Sequence, residues 1–226
     1  MTSVRYENAL PHQLEEALAS APVAYVPWGA LEWHGLHLAL GNDALKVESI
    51  CDRIAELTGG VVLPPVWVGA GTMQRHGMPL TLDFSTEIVR ALAGEYLREL
   101  EKVGCALAVI LAGHYGRVHV EALRAAAEDF TSEHKMAAWV LTDYDPVVDL
   151  GYGGDHAAKW ETSILMHLRP DVVDMSRLPT DPAVELAGVG GEDPREHAQP
   201  ELGRMIVEAI VERIAGRVNE FLREQV

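Results

Sequence analysis

Basic residues are scarce in this sequence. Lysine and arginine together number 18 against 34 aspartates and glutamates, which gives a formal net charge of −16 at pH 7. Nucleic acids and anionic membrane surfaces are bound through basic patches, and this balance leaves few residues to build one. The composition therefore argues against both as partners and leaves a small molecule as the expected ligand.

Cysteine is also scarce, and long apolar runs are missing. Cys51 and Cys105 each lie in an apolar context, so we expect buried thiols in a reducing compartment rather than a disulfide. No apolar stretch approaches the roughly 20 residues that cross a bilayer, and residues 1–7 do not resemble a secretion signal. We therefore expect a cytoplasmic protein with no membrane partner.

Length and composition are those of an ordinary globular domain. Of the 226 residues, 48% are hydrophobic and 23% are charged, so one domain with a full core is expected over 1–226. Apolar runs typical of strands alternate with segments of helical periodicity, which predicts an α/β fold: a three-layer α/β/α sandwich with a mainly parallel central sheet. The predicted strands are 23–28, 61–63, 66–68, 106–111 and 137–141, and the predicted helices are 11–20, 43–57, 86–103, 118–134 and 203–222.

Side-chain spacing adds detail to two of these helices. The helix over 86–103 follows a capping serine, Ser85, and its apolar stripe, which includes Ile88 and Val103, is expected to face the core. In the helix over 118–134, His119 and His134 are expected at the surface.

Four side chains that could bind a metal follow the strand predicted at 23–28. Glu32, His34, His37 and Asp43 come just past its carboxyl end, where open α/β sheets bind their ligands. Glu32 and His34 alternate with apolar neighbours, so an extended backbone would point both to one side. Carboxylate and imidazole together suit Zn, Mn or Fe. The alternative is a polar loop in which Asp43 only caps the next helix.

Two later polar runs have comparable positions. His114 directly follows the strand predicted at 106–111, again at a carboxyl end. The run 155–163 opens a helix, and a helix N-terminus can aim both His156 and Glu161 inward. The alternative is that His156 only caps this helix and that Glu161 is a solvated acid.

These three runs resemble the signatures of the creatininase family of metal-dependent hydrolases. Residues 27–43 are similar to the pattern Pro-x-Gly-x-x-Glu-x-His-Gly-x-His-Leu-Pro-x-x-x-Asp, with Ala39 where proline is usual. Residues 112–116, Ala-Gly-His-Tyr-Gly, are similar to Asn-Gly-His-Gly-Gly and, through Tyr115, to the family's His-Tyr-Glu form. Residues 155–163 resemble His-Ala-Gly-x-x-Glu-Thr-Ser.

The resemblance implies two divalent metal ions (Zn, Mn or Fe) over the carboxyl edge of the sheet, in a homo-oligomer that is often a hexamer. Glu32, Asp43 and His114 would hold one ion, and His34 with Asp43 the other. A metal-bound hydroxide would attack a carbonyl, and His156 would pass the proton to the leaving nitrogen. The candidate substrate contacts are His37, His76, Tyr115, Asp155 and Trp160.

Glu161 is predicted to complete the second metal site. Gly116 stands where one form of the family has an acid two residues after the signature histidine. The second ion would then keep only His34 and Asp43, which are too few protein ligands for a firm site. The Glu-Thr-Ser run returns the chain to the same edge of the sheet. We therefore predict Glu161 as a metal ligand and a catalytic residue.

The resemblance implies hydrolysis of a non-peptide C–N bond, in a cyclic amide or a formamide, by an amidohydrolase of creatininase type. Gly116 argues against the chemistry of creatininase itself. Peptidase-like trimming of a modified peptide and ring-opening of a sugar-like substrate remain alternatives. From another class, a metal-binding homologue without turnover is also open, although an intact His156 disfavours it.

Overall fold

The computed structural model describes residues 3–224 and contains a five-stranded sheet in the order β1-β3-β2-β4-β5. Every pair of neighbouring strands is parallel. The strands are β1 (Ser3–Arg5), β2 (Val23–Trp28), β3 (Gly60–Val62), β4 (Leu107–Ala112) and β5 (Ala137–Thr142).

Helices cover both faces of this sheet. α1, α3 and α4 pack on one face and α2, α5 and α7 on the other, each group around its own hydrophobic cluster. The predicted three-layer α/β/α sandwich with a parallel sheet is therefore confirmed. The helices are α1 (Pro11–Ser20), α2 (Asn42–Thr58), α3 (Thr86–Lys102), α4 (Arg117–Glu133), α5 (Lys159–Leu168), α6 (Pro194–His197) and α7 (Pro200–Glu224).

The two central strands are apolar along their whole length because helices cover them on both sides. Every residue of β2 and of β4 is buried. In β2, Val26 and Trp28 belong to the cluster under α3 and α4, whereas Val23 and Tyr25 belong to the cluster under α2 and α7. Their long parallel pairing, from Val23 beside Leu107 to Trp28 beside Ala112, brings the carboxyl ends of β2 and β4 side by side.

Two glycines at these carboxyl ends allow α2 to begin directly against the sheet. A Cβ atom at Gly29 would lie 2.3 Å from the Ala44 nitrogen, and one at Gly113 would lie 2.1 Å from the Asp43 carbonyl oxygen. Any side chain at either position would push the helix start away. The polar residues after β2, after β4 and in the first turn of α2 therefore meet at one edge.

Several local predictions were wrong. The strand expected at 66–68 is absent, and only Val66 forms a bridge, to Trp28. α2 begins at Asn42 with Gly41 as its N-cap, so Asp43 lies in the first helical turn and does not cap the helix. β1 was not predicted, and α7 begins at Pro200 rather than at 203.

Burial corrects two further expectations. Ile88 and Val103 are 51% and 44% exposed, although the Ser85 hydroxyl caps α3 as predicted. His119 is fully buried rather than at the surface. Both cysteines are buried free thiols, as expected. None of the helices within 3–224 combines the length and apolarity needed to cross a membrane.

Candidate metal centre and active site

Glu32, Asp43 and His114 meet at the carboxyl edge of the sheet. Glu32 follows β2, His114 follows β4, and Asp43 lies in the first turn of α2. His114 Nδ1 lies 2.6 Å from Glu32 Oε1 and 3.4 Å from Asp43 Oδ2. All three side chains are buried, and potential ligand atoms lie within 4.8 Å of one another. This cluster, called site A below, has the donor set of a zinc, manganese or iron site.

His34, Asp43 and Glu161 form a second cluster, called site B below. His34 Nε2 lies 2.9 Å from Asp43 Oδ1 and 3.4 Å from Glu161 Oε2. Glu161 comes from the first turn of α5, and all three side chains are buried. Asp43 belongs to both clusters, with one carboxylate oxygen on each side. The structure thus brings together all five side chains that the sequence predicts as metal ligands.

Backbone carbonyls fix which imidazole nitrogen faces each cluster. His114 Nε2 is 3.0 Å from the Ala70 carbonyl oxygen, and His34 Nδ1 is 3.1 Å from that of Glu32. A carbonyl only accepts, so these nitrogens donate, and His114 Nδ1 and His34 Nε2 face the carboxylates. Metal-binding histidines are commonly held in this way, with one nitrogen donating to a carbonyl and the other free for the ion.

Of the nine buried side-chain atoms that lack a hydrogen-bond partner within the described chain, two face the centre of these clusters. They are His34 Nε2, which belongs to site B, and Asp43 Oδ2, which faces site A. Buried polar atoms are nearly always partnered, because an unpaired one costs free energy. Their position at the centre of the two clusters therefore points to a ligand at this place.

Opposite charges shift the pKa values of both histidines. Burial alone would lower the pKa of His34, but the carboxylates of Asp43 and Glu161 raise it well above the usual value. In the same way, Asp43 and Glu32 overcome burial and raise the pKa of His114 to about 10. The sites thus attract cations strongly, and protons compete with any metal for the same nitrogens. Metal affinity should therefore rise with pH.

A buried lysine that sequence reasoning missed lies beside site B. Lys46 is fully buried on α2 and donates a hydrogen bond to Glu161 Oε1. Its Nζ also lies 2.5 Å from the Tyr115 hydroxyl and 3.6 Å from Asp143 Oδ2. Burial raises the pKa of Glu161, but Lys46 and His34 more than offset this and bring it to about 2. The available signal was the spacing of three residues between Asp43 and Lys46, which places both on one helix face.

His156, the predicted proton carrier, lies next to both clusters. Its ring centroid is 4.2 Å from that of His34, and it is half-buried. Its Nε2 is 2.8 Å from the Trp33 carbonyl oxygen, so Nε2 donates and Nδ1 is the nitrogen left to accept a proton. Burial lowers the pKa of His156, and the charge on His34 lowers it further.

A cavity of about 200 Å³ opens above the clusters. A second cavity, of about 500 Å³, shares Met73, His76 and His156 with it and extends along the backbone of 185–190. Glu32 Oε2 accepts a hydrogen bond from the Met73 amide at 2.8 Å, so site A is tied to the loop between the cavities. Within 3–224, neither lysine nor arginine lines these two cavities.

The predicted substrate contacts divide into two groups. His76, Tyr115 and Asp155 line the smaller cavity, although Asp155 also accepts hydrogen bonds from two amides at the start of α5. His37 and Trp160 do not line it. His37 is buried against the Thr162 hydroxyl at 2.9 Å, and Trp160 stacks on Tyr152 with ring centroids 5.3 Å apart.

Comparison with known proteins identifies the family. The family model named Creatininase, described as creatinine amidohydrolase, matches residues 8–218. The chain belongs to the creatininase family. It is therefore a hydrolase that acts on C–N bonds, as the sequence resemblance predicted.

Two relatives with named activities resemble the chain to different extents. A creatinine amidohydrolase from Pseudomonas putida is 28% identical over 232 residues, covering 88% of this chain and 89% of that protein. A mycofactocin precursor peptide peptidase from Mycolicibacterium smegmatis is 35% identical over 158 residues, covering 67% of this chain and 60% of that protein. The chain is thus similar both to a small-molecule hydrolase and to a peptidase.

Solved creatininase structures share the whole fold. One crystal structure of creatinine amidohydrolase superposes with a TM-score of 0.81 at 26% identity and covers 98% of this chain and 99% of that one. Two more, each with a TM-score of 0.78, are described as a manganese form and as a Zn–Zn type. Divalent metals are therefore bound by structural neighbours of this chain.

Gly116 marks a structural departure from the family form that carries an acid there. A Cβ atom at Gly116 would lie 2.6 Å from His114 Nε2, 2.9 Å from the Ala70 carbonyl oxygen and 3.1 Å from that of Gly71. The loop at 70–71 thus occupies the space that a side chain would need. The carboxylate of Glu161, from α5, lies at site B, with Oε2 3.4 Å from His34 Nε2.

Proposed function

We propose that the protein is a metal-dependent amidohydrolase that cleaves a non-peptide C–N bond in a cyclic amide or formamide, with two divalent ions (Zn, Mn or Fe). The observation that carries this proposal is the pair of buried clusters, sites A and B, which share Asp43 beneath a cavity. A polar loop with a capping aspartate, the alternative from sequence, would not bury five ionisable side chains around one point.

The residues present fit two ions. Glu32, Asp43 and His114 would hold one, and His34, Asp43 and Glu161 the other, so Asp43 would contribute to both sites. The buried and unpartnered atoms His34 Nε2 and Asp43 Oδ2 would both gain a partner. When bound, divalent ions at such a centre polarise a carbonyl oxygen and lower the pKa of water.

The protein's own residues supply orientation and proton transfer. Carbonyl oxygens hold the rings of His34 and His114 so that each directs one nitrogen at its cluster. His156 accepts at Nδ1 a proton from the attacking water and delivers it to the leaving nitrogen as the C–N bond breaks, because its Nε2 is engaged by Trp33. The lowered pKa of His156 favours the neutral ring, which is the form that can accept a proton.

The charge of the cavities limits the substrate. Glu32, Asp43, Asp155, Glu161 and Glu185 contribute acids to the lining, with no lysine or arginine among the described residues that line it. Phosphorylated or otherwise strongly anionic substrates would find no arginine or lysine along these walls to bind them. A neutral or cationic amide is therefore the expected substrate, small enough for a cavity of about 200 Å³.

Trimming of a modified peptide is the second candidate function. The larger cavity favours it, because about 500 Å³ beside the metal clusters would accept more than a small ring. Its wall is largely apolar and includes Met78, Leu186 and Val189, and the peptidase relative described above points the same way.

Metal analysis combined with a hydrolysis screen tests the proposal. Purified protein should contain up to two equivalents of divalent metal and hydrolyse members of a panel of cyclic amides, formamides and short peptides. A chelator should abolish the activity, and Zn or Mn should restore it. Activity on peptides alone would favour the second candidate, and hydrolysis that survives complete metal removal would overturn the metal-dependent mechanism. Light scattering on the same sample tests the homo-oligomer that the resemblance implies.

A further inference from the structure

Lys46 places a fixed positive charge at site B. Its ammonium group is buried and bonded to Glu161 Oε1, the Tyr115 hydroxyl supports it at 2.5 Å, and Asp143 lies at 3.6 Å. A fully buried lysine is rare and is retained only with partners of this kind. Because its contacts come from three other segments of the chain, its position is determined by the fold and not by a flexible side chain.

The two oxygens of Glu161 are directed at different cations. Oε1 accepts from Lys46, whereas Oε2 lies 3.4 Å from His34 Nε2 and accepts a hydrogen bond from the Ala157 amide at 2.8 Å. One carboxylate therefore serves both the lysine and site B. Its negative charge is already largely balanced before any ion is added.

Site A has no comparable neighbour. Within the described chain, Glu32 pairs with His114 and accepts a hydrogen bond from the Met73 amide, and neither lysine nor arginine forms an ion pair with it. Sites A and B share Asp43 and have similar donor sets. Within the described chain, a lysine in direct contact with a candidate ligand is therefore a feature of site B that site A lacks.

We propose that Lys46 competes with a metal ion for Glu161 and so makes site B the weaker, exchangeable site of the pair. This inference rests on the proposed metal-dependent function and adds an order of binding to it. Two cations close to one buried carboxylate repel each other strongly, because the protein interior screens charge poorly. Lys46 is a positioning residue, since it contacts the proposed metal ligand Glu161 and partly neutralises its charge without touching the substrate.

Titration of the native protein gives the first test. Metal-free protein is titrated with Zn²⁺ or Mn²⁺, and bound metal is measured by equilibrium dialysis with elemental analysis. We expect one ion to bind at least tenfold more tightly than the other. Anomalous scattering from crystals grown with one equivalent should locate that ion between Glu32, Asp43 and His114. Equal affinities, or a first ion at site B, would overturn the inference.

Lys46→Met, which keeps the length of the side chain and removes its charge, gives the second test. We expect the affinity of site B to increase at least tenfold while that of site A changes less than threefold. Lys102→Met, at an exposed lysine on α3, is the matched control and should change neither. Two outcomes in folded Lys46→Met protein would contradict the proposal. An unchanged site B would mean that Lys46 does not compete with the ion, and a weakened site B would mean that Lys46 only positions Glu161.

The outcomes separate this inference from the proposed function. A protein that binds no divalent ion tightly would overturn the metal-dependent function, and the inference with it. Two ions bound with equal affinity would overturn the inference alone. If Lys46→Met fails to fold, the titration of the native protein still decides.

Discussion

His156 lies where the two cavities meet, and the single hydrogen bond from its Nε2 to Trp33 decides which nitrogen can move a proton. We predict that His156→Ala slows turnover by about 100-fold or more, the usual effect of losing a general acid or base. Its metal content should stay near that of the native protein, because sites A and B do not need it. The rate is measured with the best substrate from the hydrolysis screen.

His12→Ala, at an exposed histidine on α1, is the control for handling and for histidine loss in general. Hydrolysis by His156→Ala at the native rate would remove this residue from the mechanism. A parallel loss of metal would instead assign it to the cluster with Glu32 and His34, whose potential ligand atoms also lie within 4.8 Å.

Glu161 belongs to only one of the two proposed metal sites, site B. We predict that Glu161→Gln loses one equivalent of divalent metal and most activity, because site B keeps only His34 and Asp43. The ion at site A should remain. Metal content is measured by elemental analysis after dialysis, with Glu133→Gln, at an exposed acid on α4, as the matched control. Two equivalents retained by Glu161→Gln would exclude Glu161 as a ligand.

The candidate ligands could be predicted because each stands in a recognisable run just past a strand or at a helix start. Lys46 was missed despite its helical spacing from Asp43, because its partner Glu161 is 115 residues away and a lysine on a helix is normally solvated. His119 was missed for a similar reason. It is buried between Trp28 and His114, whose rings lie 6.3 and 5.0 Å away. Neither neighbour is on α4, so the periodicity of that helix does not indicate the contact.

At the scale of the elements, the type and order of the long segments could be predicted from the sequence. Which face of α3 is buried could not. The sequence offers two apolar stripes on this helix, and the structure buries the one through Val89, Ala93 and Leu97. Ile88 lies outside it and stays half-exposed. Which stripe is buried depends on the neighbouring α4, and that information is not contained in the periodicity of α3.

Short elements also could not be predicted from the sequence. β1 has three residues, and β3, its one strand partner within residues 3–224, also has three. The expected strand at 66–68 follows Pro64 and Pro65, which cannot donate to a sheet, and pairing is reduced to the single bridge at Val66. Runs this short carry too little periodicity to be distinguished from loops.

The packing of α7 on α5 gives a prediction at the same scale. Gly203 approaches α5 so closely that a Cβ atom would lie 1.9 Å from the Ser163 carbonyl oxygen. Gly203→Ala should therefore lower the free energy of unfolding by about 1–3 kcal/mol, the usual cost of overpacking, as measured by urea denaturation. Since α5 carries Glu161, the same substitution should also weaken metal binding at site B.

Gly216 is the matched control on the same helix, because no atom lies within 4 Å of its would-be Cβ. Gly216→Ala should raise the free energy of unfolding by about 0.5–1 kcal/mol through the better helix propensity of alanine. Equal effects of the two substitutions would mean that α7 does not pack closely against α5 at Gly203.

For the whole molecule, the proposed metal centre joins segments that are distant in sequence. Its ligands come from the ends of β2 and β4 and from the first turns of α2 and α5. In a chain with a net charge of −16, three of these ligands are buried carboxylates that repel one another. Ions that bind only the folded chain should therefore increase its stability as well as supply chemistry.

Asp43 is the residue through which this effect should act, because it belongs to both clusters. At a metal concentration 100 times the dissociation constant, binding adds about 2.7 kcal/mol to the free energy of unfolding. For a domain of this size that corresponds to a rise in Tm of roughly 5–10 °C. We predict that Asp43→Asn loses most of this rise, measured by scanning calorimetry with and without Zn²⁺ or Mn²⁺. Asp129→Asn, at an exposed acid on α4, should keep it. A full rise in Asp43→Asn would mean that the stabilising ion binds elsewhere and that Asp43 is not the bridge.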